Sequence, residues 1–185
     1  MITPAPAPSR GCHVFADETK ERDYLLVAGA ILAGDLTAIR STMRGLVLKG
    51  QHRVHMKKES DSRKRSIAAA ICDTNVKVTV YNAGRGRRDE LDARAACLRA
   101  LVCDAAAACA LMLVLEQDDS LRRWDNQRLV EISREVGCRD TLCYQHRRAA
   151  TEHLLVIPDA VAWCWAKGGD WRRRIEPVVT AARCV

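Results

Sequence analysis

The sequence predicts an α/β domain: a mixed β-sheet with an initial antiparallel hairpin and helices on both faces. Three observations support this fold class. The chain has 185 residues, which is the length of one domain. Two apolar segments near its start flank a short polar turn, and segments of helical character then alternate with short apolar ones. We find no internal repeat, so we expect a flexible N-terminal tail over residues 1–11 and a single domain over residues 12–185.

The hairpin is predicted from the stretch CHVFADETKERDYLLVAGAILA. Residues 12–16 alternate weakly and end on an acid, which suits a strand. Residues 24–33 are apolar throughout, as in a central strand that is buried on both faces. The polar segment DETKERD between them is short enough for an antiparallel connection.

The remaining elements follow in alternation. Helices are predicted over residues 34–50, 61–72, 88–110 and 120–137, with two more that begin near Pro158 and Asp170. Strands are predicted over residues 76–82, 111–116 and 142–146, and residues 52–56 form a short strand or an extended link. Asp35 is the expected cap of the first helix and Gly137 the end of the fourth. The segment GRGRR at 84–88 is expected to be a loop or a helix entry, and it lacks the Lys-Ser/Thr of a P-loop.

The charge and cysteine content narrow the classes of function. The net charge of +7 favours polyanionic partners such as nucleic acid, although an arginine-rich composition explains it equally well. The nine cysteines contain no C-x-x-C pair, so we expect reduced, mostly buried thiols in a cytoplasmic protein, with no disulfide framework and no zinc site. The start of the chain has no apolar signal region, and no run reaches the length of a membrane span.

Acidic residues stand where two predicted strands end. Asp17 and Glu18 close the first strand, Glu116 closes LMLVLE, and Asp159 and Asp125 lie in later helices. Sites in open α/β sheets form outside the carboxyl ends of strands. Carboxylates gathered there repel one another, and Mg²⁺ or Mn²⁺ relieves that repulsion and supports phosphodiester hydrolysis. Acids also end strands simply because the chain meets water there, Asp159 suits a helix start, and Asp125 suits a solvated helix face.

His55 and a basic segment follow the first helix. His55 is a candidate for proton transfer or phosphate orientation, and a surface histidine is the alternative. Six cations in the segment are candidates for binding a nucleic-acid backbone, with a solvated helix face as the alternative: Arg53, Lys57, Lys58, Arg63, Lys64 and Arg65.

The order of these motifs resembles the DUF3800 family, which is similar to the RNase H-like superfamily. The resemblance runs discontinuously from about residue 12 to 176 through VFADETKERDYLLVAGAIL, RVHMKKESDSRKRSI, LVLEQDDSLRRWDNQRL and EHLLVIPDAVAWCWAKGGDW. It implies a mixed sheet with acids near its centre and a metal-dependent nuclease activity, with Asp17, Glu116 and Asp159 as the main acids. Glu18 and His55 match accessory positions. The chain departs from the family's usual Ser-Gly at Thr19 and Lys20, so the hairpin is expected to turn differently.

These observations favour a metal-dependent nuclease or related phosphodiesterase that acts on DNA or RNA. We expect catalytic roles for Asp17, Glu116, Asp159 and His55, and Mg²⁺ or Mn²⁺ held by Asp17, Glu18, Glu116, Asp125 and Asp159. The alternative is a catalytically inactive RNase H-like protein that binds nucleic acid or a protein partner. A homo-oligomer built through the apolar helices is a third hypothesis, and no membrane partner is expected.

Overall fold

The computed structural model describes residues 11–84 and 89–185. Residues 1–10 of the expected tail and most of the expected loop at 84–88 therefore lie outside the described residues. The strands are β1 (Cys12–Thr19), β2 (Tyr24–Leu32), β3 (Lys77–Gly84), β4 (Met112–Glu116), β5 (Cys143–Arg147) and β6 (Val179–Cys184). The helices are α1 (Leu36–Gly45), α2 (Asp61–Cys72), α3 (Glu90–Ala107), α4 (Arg122–Val136), α5 (Val156–Lys167) and α6 (Gly169–Ile175).

The six strands form one mixed sheet in the order β5-β4-β1-β2-β3-β6. The pairs β1–β2 and β2–β3 are antiparallel, whereas β1–β4, β4–β5 and β3–β6 are parallel. The predicted hairpin and the mixed sheet are therefore confirmed. Since β1 and β4 run side by side in the same direction, their carboxyl ends meet at one edge of the sheet.

Helices cover both faces of this sheet, as predicted. Alternate residues of β1 and β2 enter two different hydrophobic clusters because successive side chains of a strand point to opposite faces. Phe15 and Val27 belong to the cluster that α1, α2, α5 and α6 complete. Ala16 and Leu26 belong to the cluster that α3 and α4 complete. The central strand β2 is buried on both sides, which explains why its sequence is apolar throughout.

Some local predictions were wrong and others were confirmed. Helix α1 ends at Gly45 rather than continuing to residue 50, and Asp35 stands at its N-cap without a side-chain hydrogen bond to the helix. Residues 52–55 form no strand and are a link, which was the other alternative. Helix α5 begins at Val156, near Pro158 as predicted. Strand β6 was not predicted at all.

The cysteines are free thiols, but they are not mostly buried as expected. Four are buried and one is half-buried, and the other four are exposed: Cys103, Cys109, Cys143 and Cys184. Two of these exposed thiols lie in or just after helix α3, where an interval of six residues rotates successive cysteines away from the buried stripe. Within the described residues, the helices are too short or too polar for any of them to span a lipid bilayer.

Candidate functional site

Three carboxylates come together near the carboxyl ends of β1 and β4, although β1 runs on to Thr19 instead of ending before Asp17 as predicted. Ala16 pairs with Leu115 across these parallel strands, so Asp17 and Glu116 are the next residues on adjacent strands. Helix α5 packs against β1 and β2 and brings Asp159, in its first turn, to the same place. The structure therefore places Asp17, Glu116 and Asp159 at the same edge of the sheet, close enough for their charges to interact.

The environment of Asp17 disfavours its negative charge. The residue is half-buried. Loss of solvent raises the pKa of Asp17 well above its usual range, and the charges of Glu116, Asp159 and Glu18 raise it further. A hydrogen bond with Glu116 acts in the same direction. The strand end thus holds a carboxyl group that repels its neighbours when it is ionised.

Two of the acids already have partners in the segment before α2. The guanidinium of Arg53 forms a close ion pair with Glu116 Oε1. The backbone N–H of Met56 donates to Asp159 Oδ2 at 2.9 Å, and Nδ1 of His55 lies 3.5 Å from Asp159 Oδ1. The predicted residue His55 is therefore beside the acids.

Glu18 lines an open cleft of about 450 Å³ at this edge of the sheet. His55, Asp159 and Trp163 line the same cleft, together with the exposed Lys57. One oxygen of Glu18, Oε2, lies 2.7 Å from Nη1 of Arg94 in helix α3. The cleft therefore combines acids with groups that suit an anionic ligand.

Asp125 is not part of the cleft. It is fully buried, and both of its oxygens accept hydrogen bonds from Arg94, at 2.6 and 2.7 Å. The side chain of His146 lies 3.4 Å from its Oδ2. Loss of solvent alone would raise the pKa of Asp125, but the hydrogen bonds from Arg94, together with the nearby His146 side chain, outweigh it and lower the pKa. Asp125 therefore does not lie on a solvated helix face. Its oxygens are also not free to bind a metal ion, because both accept hydrogen bonds from Arg94.

The acids fit a hard divalent cation by their chemistry, since carboxylate oxygens are the ligands that Mg²⁺ and Mn²⁺ prefer. The repulsion around Asp17 is the feature that a cation would relieve. Among residues 11–84 and 89–185, however, no three His, Cys, Asp or Glu side chains are arranged so as to hold an ion. In this arrangement Arg53 is paired with Glu116, and the backbone N–H of Met56 donates to Asp159.

The predicted basic segment divides into exposed and engaged residues. Lys57, Lys58 and Arg65 are exposed. Arg63 instead donates to the carbonyl of Leu46, and Lys64 is buried against the ring of Trp163 at 4.6 Å. The engaged residues tie α2 to its neighbours. Of the exposed ones, Lys57 pairs with Glu21 at 3.3 Å and Arg65 lies over the ring of Trp171, and such surface contacts are weak enough for a polyanion to replace.

Sequence reasoning missed Arg94, although a signal for it was present. Arg94 lies on the same face of α3 as Cys97, Leu98 and Leu101, which are buried. Asp125 similarly shares a face with Leu129 and Ile132 in α4. Each of these two apolar helix faces carries one charged residue, and the two charges are of opposite sign. Such a pattern indicates that the two residues form a buried ion pair.

Solved structures of two ribonucleases are similar to this fold. RNase HII, from a complex with PCNA from Archaeoglobus fulgidus, matches with a TM-score of 0.55 and 16% identity over 89% of this chain and 75% of that one. The fold is RNase H-like. Bst-RNase HIII in complex with Mn²⁺ matches with a TM-score of 0.50 and 14% identity over 88% of this chain and 56% of that one. A point mutant of Bst-RNase HIII matches with a TM-score of 0.51 and 12% identity over 95% of this chain and 58% of that one.

These identities are low, so the likeness concerns the fold. This chain spans 56% to 58% of the two RNase HIII chains, which are therefore considerably longer. No family model matches the chain. No curated protein matches it either.

Proposed function

We propose that this chain is a metal-dependent nuclease that hydrolyses phosphodiester bonds in DNA or RNA. The observation that carries the proposal is the meeting of Asp17 with Glu116 and Asp159 at the ends of two adjacent parallel strands. The RNase H-like fold supports it, as does the ordered resemblance to the DUF3800 family. Mg²⁺ or Mn²⁺ is the proposed cofactor.

In this proposal the acids Asp17, Glu18, Glu116 and Asp159 would hold the ion. The bound ion would supply positive charge for the leaving oxygen and a water with a lowered pKa. Asp17 has the raised pKa in the metal-free protein, so it would give up its proton when a cation arrives. Arg53 would move away from Glu116 Oε1 if the ion took its place at that oxygen.

The cleft residues would position the nucleic acid. Lys57 lies in the cleft wall and is exposed, so its ammonium is placed to bind a phosphate. His55 lines the same cleft and touches Asp159, which suits a role in orienting a phosphate or moving a proton.

The direct test is cleavage of labelled single-stranded DNA, single-stranded RNA, both duplexes and an RNA–DNA hybrid, with Mg²⁺, Mn²⁺ or EDTA. We expect metal-dependent cleavage of at least one substrate. Asp17→Asn should reduce the rate at least about 100-fold, because losing about 3 kcal/mol of transition-state stabilisation lowers a rate by that factor. Cleavage in EDTA, or full activity in Asp17→Asn, would refute the proposal.

A second function is favoured by one observation. The oxygens of Glu116 and Asp159 are already bound by Arg53 and by the backbone of Met56, which is how a site without metal is stabilised. A chain that binds nucleic acid without cleaving it would keep these contacts. Oligonucleotide binding without cleavage, and without any effect of Mn²⁺ on melting, is the result expected for that function.

A further inference from the structure

Arg94 is a buried cation that joins four elements of the fold. It extends from the start of α3 and is 1% exposed. Its guanidinium contacts Asp125 in α4, Tyr24 at the start of β2 and Glu18 near the end of β1. A buried charge is costly unless its partners are well placed, so this arrangement needs an explanation.

The orientation of the guanidinium is fixed by Asp125. Nε donates to Oδ1 at 2.6 Å and Nη2 donates to Oδ2 at 2.7 Å, which is the paired geometry of an arginine fork. These two bonds use one edge of the guanidinium. Nη1 is left pointing away from Asp125, toward the end of β1.

Nη1 holds one oxygen of Glu18. It forms an ion pair with Oε2 at 2.7 Å, and it donates a hydrogen bond to the hydroxyl of Tyr24 at 3.0 Å. Among the described residues, the other oxygen, Oε1, has a long contact of 3.7 Å with Lys20, whose closer partner is Glu90. The ion pair with Arg94 therefore restrains one oxygen of Glu18, while the Glu18 side chain lines the cleft beside Asp159.

We propose that Arg94 is a positioning residue that fixes Glu18 for binding a divalent cation, and that Asp125 orients Arg94 and cancels its charge. This inference rests on the proposed function, because it gives Glu18 a part in holding the ion. Arg94 itself does not touch the cleft, so its effect passes entirely through Glu18.

The charges explain why a pair is needed rather than an arginine alone. An unpaired arginine beside Glu18 would repel an arriving cation. Asp125 neutralises Arg94, so Glu18, Arg94 and Asp125 together carry one net negative charge, and Glu18 keeps its attraction for the ion. Two effects then have opposite signs: loss of positioning weakens cation binding, whereas loss of the arginine charge alone strengthens it.

The test replaces Arg94 and Asp125 together, so that neither of these two buried charges is left without the other. In the variant Arg94→Met/Asp125→Leu both charges are replaced by apolar side chains, a change that proteins often tolerate. Mn²⁺ binding to the metal-free protein is measured from the electron paramagnetic resonance signal of free Mn²⁺, and melting is measured in EDTA. We expect Mn²⁺ to bind about 10- to 100-fold more weakly, the usual effect of losing a residue that orients a metal ligand.

The matched control is Arg40→Met/Glu152→Leu. This variant also removes an arginine fork, with contacts of 3.0 and 3.1 Å, but it lies between α1 and the segment before α5. We expect its Mn²⁺ affinity to equal that of the unmodified protein, whatever happens to its melting temperature.

The outcomes separate this inference from the proposed function. If the unmodified protein binds Mn²⁺ and the Arg94→Met/Asp125→Leu variant binds it equally or more tightly, the pair serves only stability and the inference is overturned. If the unmodified protein binds no Mn²⁺, the proposed function fails, and the positioning role fails with it. Should the first double variant not fold, Arg94→Lys provides the comparison: a lysine keeps the charge but not the fork, so positioning predicts weaker Mn²⁺ binding there too.

Discussion

Asp17 is a carboxyl group whose folded surroundings favour its protonated form. Because its pKa is higher in the folded than in the unfolded chain, the folded chain binds this proton more tightly. The resulting stabilisation is fully present below the unfolded pKa of about 3.9. It is lost as the pH rises through the raised pKa of the folded chain.

We therefore expect Asp17→Asn to stabilise the metal-free protein increasingly as the pH rises. The variant removes the charge that Glu116 and Asp159 repel. Urea unfolding in EDTA at several pH values from 4 upward measures the difference. The control is Asp170→Asn, which removes an exposed carboxylate whose pKa is lowered by hydrogen bonding to Arg173 and should not stabilise at any pH. A difference between Asp17→Asn and the unmodified protein that does not change with pH would contradict this account.

In the proposed metal site, Arg53 would compete with the cation for Glu116. The pair is partly exposed, so it contributes no more than about 1 kcal/mol and an ion can displace it. We expect Arg53→Ala to bind Mn²⁺ up to about fivefold more tightly, since 1 kcal/mol corresponds to that factor. Titration of the metal-free protein with Mn²⁺ measures the change, and weaker binding than in the unmodified protein would show that Arg53 supports the site instead.

At the scale of elements, the backbone conformation of the residue that follows a helix helps to determine where the helix ends. Gly137 follows α4 with φ of 76°, and an added Cβ would meet no atom within 4 Å. Only backbone strain opposes a side chain there. We expect Gly137→Ala to lower the free energy of unfolding by about 1 kcal/mol.

The comparison is Gly45→Ala at the end of α1. That glycine is helical and also has open space around its Cα, so alanine should stabilise by about 0.5 kcal/mol through helix propensity. Urea unfolding of both variants tests the contrast. Equal effects at the two positions would show that the left-handed conformation at Gly137 is not what ends α4.

The elements that sequence alone could predict are those with a strong local pattern. The predicted range of α2 was confirmed residue for residue, and β2 was recognised because it is buried on both faces. Strand β6 has mostly exposed residues and two alanines, and it forms because β3 offers an edge for parallel pairing. Such pairing depends on tertiary structure and leaves no period in the sequence.

The site was predictable to a similar extent. Acids at strand ends indicated Asp17 and Glu116, and the register of β1 against β4 brings them together. Asp125 was misjudged because an acid in a helix gives no sign of its partner. Its pairing with Arg94 depends on how α3 packs on α4, which the chain order does not specify.

At the scale of the whole molecule, net positive charge is expected to attract nucleic acid. The structure distinguishes the exposed Lys57 and Lys58 from the engaged Arg63. We expect Lys57→Ala/Lys58→Ala to weaken oligonucleotide binding and to reduce the slope of log affinity against log salt by about 0.9 for each phosphate that the variant no longer binds. Binding in EDTA at several salt concentrations measures both quantities.

The control for this prediction is Arg63→Ala. Arg63 is bound to Leu46 and Glu59, so its removal should affect melting and leave the salt slope unchanged. A double lysine variant with the unmodified slope would place the nucleic-acid surface elsewhere on the molecule.

The central claim is that the carboxylates around Asp17 gather to hold a divalent cation. The most direct measurement is the melting temperature of the unmodified protein and of Asp17→Asn. Each is measured in EDTA and with Mn²⁺ at about 100 times the dissociation constant of Mn²⁺ for the unmodified protein. A ligand at that concentration stabilises by about 2.7 kcal/mol, and in a chain of this length that raises the melting temperature by roughly 5 to 10 °C. We predict this rise for the unmodified protein, and for Asp17→Asn a higher melting temperature in EDTA with little further change on adding Mn²⁺. Equal rises in both proteins, or no rise in the unmodified one at any Mn²⁺ concentration, would contradict the claim.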